Sequence, residues 1–276
     1  MAFLPDPDEV PEHGEQVMQA IYDLCKYPTT YDFAAWACVA KTHGVDSVHF
    51  IIDGPIAHWK YSEDIAWKRW ATILLPICRL AGFTYTVGGR IPGPEFNYMS
   101  GYVNQMYIQT GKLEKLKPTI EVSEKGYVTI TLRESFRNTH RNSNVPAWMA
   151  FKGYLEAKGK EVVVLPESEN APMNLEHRMA LYAGADMNMG VAQGPMALCV
   201  FSEAPYITLN QNPKDPTGKA QYDMDKLLIK TGFPPGSQYA FRNERQILVW
   251  EPDSFECIVR SYEDMNAGRF KLEKAA

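Results

Sequence analysis

The sequence lacks the cysteine patterns that secreted and zinc-binding proteins carry. The chain has 276 residues and five cysteines, and no two of these form a Cys-X-X-Cys pair; they are Cys25, Cys38, Cys78, Cys199 and Cys257. An odd number at wide spacing, each among apolar residues, indicates reduced and mostly buried thiols in a cytosolic protein. Zinc sites need several thiolates or imidazoles at short spacing, so we expect no metal site.

Long apolar runs are also missing. The most apolar stretch, residues 73–81, is interrupted by Pro76 and Arg79, and it is far shorter than the ~20 residues of a membrane-spanning helix. Residues 1–8 contain no basic segment followed by an apolar one, so we expect no signal peptide there. We therefore expect a soluble, cytoplasmic protein with no transmembrane segment.

Three functional classes lose support because their signatures are absent. No Gly-X-Gly-X-X-Gly follows the first strand of either half, no phosphate-binding P-loop motif is present, and no Gly-X-Ser-X-Gly elbow occurs. These absences argue against a dinucleotide oxidoreductase, a P-loop kinase and an α/β-hydrolase. The net charge of −5 argues against general affinity for nucleic acid, so no nucleic-acid partner is expected.

Strands and helices alternate regularly in the second half of the sequence. The patterns predict five strands and the helices between them, namely strands 127–132, 161–165, 186–191, 205–209 and 247–250 and helices 146–158, 174–183 and 253–266. Short connections between such elements predict a doubly wound parallel sheet. Residues 127–276 are therefore predicted to be a Rossmann-like domain.

The first half, residues 1–110, is predicted to be a smaller α/β unit. Its strands are placed at 46–52 and 83–87, and its helices at 14–26, 29–43, 62–82 and 97–110. Residues 111–126 are charged and have no clear period, so they are predicted to link the two halves.

A basic loop follows the first strand of the second half. Arg133, Arg137, His140 and Arg141 lie between that strand and the next helix, at the edge where such sheets bind ligands. Arginine forks match phosphate oxygens, and the helix is expected to add free N–H groups at its N-terminus. The alternative is a solvated charged loop with one salt bridge to Glu134.

A glycine-rich turn follows the third strand of the second half. Gln193, Gly194, Pro195 and Met196 form this turn, where a glycine lets the backbone approach a ligand closely. The alternative is that Gly-Pro serves the backbone turn alone. Both loops are expected on the same edge of one sheet, so both can face a single diphosphate.

Residues 185–198, Ala-Asp-Met-Asn-Met-Gly-Val-Ala-Gln-Gly-Pro-Met-Ala-Leu, resemble the donor-binding segment of heptosyltransferase-like glycosyltransferases of the GT-B fold. Residues 127–209 follow the same order of elements. The resemblance implies two Rossmann-like halves, with a nucleotide-sugar donor in the second half and an unknown acceptor on the first. It also implies that Gln193, Gly194, Pro195 and Met196 lie near the donor phosphates, and no cofactor is expected.

A transferase of this kind needs a base that takes the proton of the acceptor hydroxyl. Asp53 ends strand 46–52, and His58 follows in the same loop, so these two are the predicted catalytic residues. Asp53 can equally make an Asx turn with Gly54, and Glu95 is a second candidate. Two Asp-X-Asp pairs, Asp6 with Asp8 and Asp223 with Asp225, are not placed at strand ends, so we predict a metal-independent enzyme.

The predicted function is transfer of a sugar from a nucleotide-sugar. The first alternative is a non-catalytic protein that binds a nucleotide or a sugar phosphate through the same arginines. The second is binding of structured or single-stranded nucleic acid through the arginine loop. Segment 210–246 contains Lys214, Lys219 and Lys226 and is a candidate lid.

Overall fold

Two parallel β-sheets, one in each half of the chain, organise the fold. The computed structural model describes residues 18–56, 62–122, 126–136, 138–167, 173–215 and 217–270. Within them every strand pair of the two sheets is parallel. The predicted fold class, α/β with two Rossmann-like halves, is confirmed.

The first half contains a three-stranded sheet in the order β1-β2-β3. Its strands are β1 (Met18–Asp23), β2 (Val45–Ile51) and β3 (Thr84–Gly88), and its helices are α1 (Phe33–Thr42), α2 (Glu63–Arg69), α3 (Leu75–Leu80) and α4 (Ser100–Thr110). A π-helical turn, Trp70–Leu74, joins α2 to α3 and completes the long helical segment predicted at 62–82.

The helix predicted over residues 14–26 is wrong where the structure describes it, because residues 18–23 form strand β1. Ala20, Ile21 and Tyr22 are all buried, and each pairs in register with a residue of β2. A strand buried on both faces has a continuous apolar pattern, which periodicity alone does not distinguish from a buried helix. The first half therefore has three strands where the sequence predicted two.

The second half contains a five-stranded sheet in the order β5-β4-β6-β7-β8. Its strands are β4 (Val128–Arg133), β5 (Val162–Glu167), β6 (Met187–Val191), β7 (Tyr206–Leu209) and β8 (Gln246–Leu248). Its helices are α5 (Val145–Ala157), α6 (Leu175–Gly184), α7 (Ala197–Val200), α8 (Met224–Thr231) and α9 (Phe255–Asn266). Helices α5 and α9 cover one face and α6 and α7 the other, so the predicted doubly wound sheet is confirmed.

The two halves share one hydrophobic core. Phe33 and Trp36 of α1 belong to the same cluster of buried side chains as Leu198 and Phe201 of the second half. Helix α1 packs against α7, and α3 packs against α6. This shared core fixes the first half on the α6–α7 face of the second sheet.

Residues 111–122, within the segment predicted as a linker, run between the halves. Leu116 is buried, and its N–H donates to the Phe201 carbonyl at 2.8 Å. The next residue, Lys117, donates its N–H to the Leu80 carbonyl at 2.9 Å. The predicted domain boundaries stay a prediction, and this part of the chain is tied to both halves.

Helix α8, in the segment predicted as a lid, crosses back to the first half and packs against α4. Asp223 caps it by accepting the Lys226 N–H at 2.9 Å, so the second Asp-X-Asp pair lies at a helix start and not at a strand end. Among the described residues, none of the helices is long and apolar enough to cross a membrane.

Of the five thiols, four are buried and only Cys25 is half-buried. Burial raises the pKa of Cys38 to about 12 and raises the pKa of Cys78 and of Cys199 as well. A thiol reacts as its thiolate, so a buried thiol with a raised pKa is inert at pH 8.

We therefore expect an aromatic disulfide reagent at pH 8 to modify one thiol quickly in the folded protein, and that thiol is Cys25. The other four should react only after unfolding in denaturant. The absorbance time course measures both phases, and Cys25→Ser should remove the fast phase alone. Two or more fast thiols in the native protein would contradict this assignment.

Candidate functional site

The strand order places a switch point between β4 and β6. Strand β5 follows β4 in sequence and pairs on one side of it, whereas β6 pairs on the other side. In open α/β sheets, ligands bind in the crevice outside the carboxyl ends of the strands at such a point. The basic loop follows β4 and the glycine-rich turn follows β6, so both predicted segments begin at this edge.

The loop after β4 is held in shape by two pairs of reciprocal hydrogen bonds. Arg133 donates its N–H to Ser143 Oγ at 2.9 Å, and Ser143 returns its N–H to the Arg133 carbonyl at 2.9 Å. Asn142 accepts the Ser135 N–H and donates its amide to the Ser135 carbonyl, each at 2.9 Å. The described loop backbone is therefore fixed before any ligand binds, which reduces the entropy lost on binding.

Arg141 connects this loop to the turn after β6. Its Nη2 donates to the Ala192 carbonyl at 3.3 Å. Its Nε is buried and has no acceptor among the described residues. A buried donor without an acceptor carries a desolvation cost that an anionic ligand would remove. Arg137 lies outside the described residues.

His140 lies in the same loop, directly before Arg141. The pKa of Asp215 is lowered first by the hydrogen bond from Thr217 and further by His140, which is close enough to interact with this carboxylate electrostatically. Both residues of the pair are on loops at the carboxyl edge of the second sheet, His140 after β4 and Asp215 after β7.

The N-terminus of α5 does not supply free N–H groups, so that prediction is wrong. Val145 donates its N–H within the loop at 2.9 Å, Pro146 has none, and Ala147 donates to its own cap, Asn144 Oδ1, at 3.4 Å. The Asn144 N–H donates at 2.7 Å to Asp253, a carboxylate that is 5% exposed. Positive side chains, and not this helix end, provide the positive charge of the loop.

The turn after β6 is tightly packed. Gln193 donates its amide to the Thr131 carbonyl at 2.8 Å, and its Oε1 is buried without a donor among the described residues. A Cβ atom on Gly194 would come within 2.3 Å of the Tyr31 ring. Pro195 and Met196 are buried. Gly194 therefore makes room for a side chain of the first half, and the phosphate contact predicted for these four residues stays a prediction.

Asp53 lies at the carboxyl edge of the first sheet. Its carboxylate accepts the Arg90 N–H at 2.9 Å and lies 3.8 Å from Arg90 Nε. Arg90 also donates to Asp23 at 2.6 Å, which raises the pKa of the guanidinium. Asp53 thus joins the loops after β2 and β3, and its side chain remains 42% exposed.

The sequence does not indicate Asp23 as a site residue, because it ends β1, whose apolar pattern also predicts a helix. Its side chain is only 3% exposed. The available signal was a carboxylate directly after the apolar run Ala20, Ile21 and Tyr22. Glu95 accepts hydrogen bonds from Lys26 at 2.6 Å and Tyr27 at 2.5 Å, and these donors lower its pKa. His58 lies outside the described residues.

A second group of residues missed by sequence analysis lies where the halves meet. Lys230 on α8 is close enough to Asp32, at the start of α1, and to Arg141 to interact electrostatically with each of them. We call Asp32, Arg141, Tyr222 and Lys230 the junction cluster. No sequence motif joins these four residues, because they come from separate elements. Within the described ranges no group of three metal-ligating side chains is found.

Comparison with known proteins gives distant matches among solved structures. No protein-family model matches the chain, and no curated protein matches it either. Among solved structures, the iron-containing dodecameric glycosyltransferase TibC of enterotoxigenic Escherichia coli is 12% identical, with a TM-score of 0.41 over 92% of this chain and 76% of that one. The E. coli heptosyltransferase WaaC with ADP-2-deoxy-2-fluoro heptose is 14% identical, with a TM-score of 0.36 over 84% and 70%.

The contact between Tyr31 and Gly194 yields a prediction for stability. Gly194→Ala should lower the free energy of unfolding by about 1–3 kcal/mol, because the added methyl group overlaps the ring. In a Tyr31→Ala background the same change should cost much less. Urea denaturation of the four proteins measures the coupling.

Gly153→Ala provides the matched control, since a Cβ there meets nothing within 4 Å. This helical position should gain stability from the alanine. An equal cost of Gly194→Ala with and without the Tyr31 ring would rule out the overlap as the cause.

Proposed function

We propose that the protein transfers a sugar from a nucleotide-sugar donor to an acceptor hydroxyl, with the donor diphosphate at the carboxyl ends of β4 and β6. The observation that carries this proposal is the position of Arg141. It extends from a pre-shaped basic loop to the β6 turn, at the switch point of a parallel sheet, and keeps a buried donor unmatched among the described residues.

The departing group of such a transfer gains negative charge, and arginines can stabilise it. In the transfer, the bond between the sugar carbon and the phosphate oxygen breaks, and a bond to the acceptor oxygen forms. The departing nucleoside diphosphate gains negative charge, which guanidinium groups stabilise through paired N–H donors. In our proposal Arg133, Arg137, His140 and Arg141 do this without a metal ion.

The turn formed by Gln193 to Met196 completes the proposed donor site. Gln193 Oε1 is an acceptor, so it does not suit a phosphate oxygen, and a hydroxyl or amino group of the donor is its better partner. We assign the backbone of the turn to the phosphates and the Gln193 side chain to the sugar or nucleoside.

The base belongs to the first half in this proposal. Asp53 is our first assignment, with His58 in the same loop, because Asp53 stands at the carboxyl edge of the first sheet and is partly exposed. Asp32 is the second assignment, since it lies beside Lys230 in the junction cluster. Either carboxylate would take the proton of the acceptor hydroxyl as the new bond forms.

The alternative function is binding of a nucleotide or sugar phosphate without catalysis. The same arginine loop would then hold the ligand, and no carboxylate would matter for function. The two proposals differ in whether removal of a carboxylate changes turnover alone or changes nothing.

The donor site is tested by a thermal-shift screen of nucleoside diphosphates and nucleotide-sugars. The screen should include ADP-heptose, which a TibC structure contains. A ligand that binds only the native state at ~100 times its dissociation constant adds about 2.7 kcal/mol of stability. We expect one nucleotide-sugar to raise the melting temperature of the wild type and to do so much less with Arg141→Ala.

Arg269→Ala is the matched control for that screen. This arginine follows α9, is 63% exposed and pairs with Asp264 of that helix. It should keep the full ligand shift. If no nucleotide or nucleotide-sugar shifts the wild type, the donor site as proposed does not exist.

The base is tested by turnover, measured as release of the nucleoside diphosphate from the donor identified in the screen. Asp53→Asn should lower the rate by about 10²-fold or more while donor affinity stays near that of the wild type. If instead Asp32→Asn loses activity with unchanged donor affinity and Asp53→Asn keeps full activity, the base is Asp32 of the junction cluster. Negligible turnover in the wild type, Asp53→Asn and Asp32→Asn alike would favour the alternative function, binding without catalysis.

A further inference from the structure

The end of α8 has a fixed position against the first half. Gly232, which follows the helix, has a φ of 78°, and a Cβ atom there would come within 2.8 Å of the Gly101 oxygen in α4. Gln105 of the same helix donates its amide to the Gly232 carbonyl at 3.1 Å. These contacts hold the last turn of α8, and with it Lys230, where the halves meet.

The Lys230 ammonium lies in a partly enclosed, polar environment. The residue is half-buried, and its Nζ is 5.2 Å from the centre of the Tyr222 ring. Burial lowers the pKa of Lys230, whereas the Asp32 carboxylate and Tyr222 raise it, and the net direction is upward. The side chain is therefore a cation at neutral pH.

Two cations, Lys230 and Arg141, lie near each other in the junction cluster. Arg141 lies near enough to repel Lys230, and Asp32 is the carboxylate among the described residues that attracts it. Like charges held together in a partly buried place are unfavourable unless an anion joins them. The buried Nε of Arg141, which has no acceptor in the described ranges, leaves a donor for such an anion.

Two hydrogen bonds between the backbone of Tyr222 and the Asn212 side chain hold Tyr222 in place. Its N–H donates to Asn212 Oδ1 at 2.9 Å, and Asn212 returns a side-chain hydrogen bond to the Tyr222 carbonyl at 3.0 Å. A positioned aromatic face attracts a nearby ammonium group. The ring and Asp32 together keep Lys230 directed to the junction of the halves.

We propose that Lys230 and Arg141 together bind one phosphate group of a diphosphate, with Asp32 and Tyr222 orienting the Lys230 ammonium. This inference rests on the proposed function, because it adds Lys230 as a further phosphate ligand to the same donor site. Lysine supplies a point charge and arginine a directional fork, a combination that suits a phosphate with several free oxygens. Helix α8 thereby becomes part of the donor site.

The test titrates the full-length protein with inorganic pyrophosphate by calorimetry. Lys230→Met removes the charge and keeps the apolar stem, and it should weaken binding by about tenfold or more. Lys230→Arg keeps the charge and should stay near the wild-type affinity. Lys226→Met is the matched control on the same helix, and its 70% exposed side chain predicts unchanged binding.

The outcomes separate this proposal from the proposed function. Wild-type affinity in Lys230→Met, with weakened binding in Arg141→Met, would overturn the role of Lys230 and leave the transferase intact. A wild type that does not bind pyrophosphate would also overturn it. Binding that depends on Lys230, with no nucleotide-sugar recognised, would instead argue against sugar transfer. If Lys230→Met fails to fold, Lys230→Gln provides the second neutral variant.

Discussion

Burial of helix α1 on all sides is the constraint on which the rest of the structure depends. Its residues from Phe33 to Ala40 are all buried, as expected for a helix that is apolar around its whole circumference. Such a helix must be covered by two layers, and here they are the first sheet and the helices of the second half. This packing brings the start of α1 to the turn after β6, where the Tyr31 ring lies against Gly194.

The second half could be predicted from the sequence because its signals are local. Strands, helices and their order follow from apolar patterns and short connections, and strand β4 with its basic loop lies at the expected edge. The first half was harder to predict, since the apolar run of β1 fits a buried helix as well as a buried strand. Asp23 is the last residue of β1, so its place at a strand end cannot be predicted unless the strand itself is predicted.

Individual site residues were harder to predict than elements. The glycine at position 194 indicates close approach, but whether a ligand or a side chain approaches depends on a tyrosine from the other half. The start of α5 has the pattern of an anion site, yet its N–H groups are used by neighbouring residues. The junction cluster combines residues from α1, the loop after β4, and α8, so only tertiary structure assembles it.

The docking of α8 on α4 has a consequence for how ligands enter and leave. Many two-domain proteins open by rotating one domain about a hinge. Here the common core and α8 link the halves at separate places, and such a rotation would expose buried apolar side chains at both. We therefore expect ligands to enter and leave through local movement of surface loops, while the relative orientation of the two sheets stays constant.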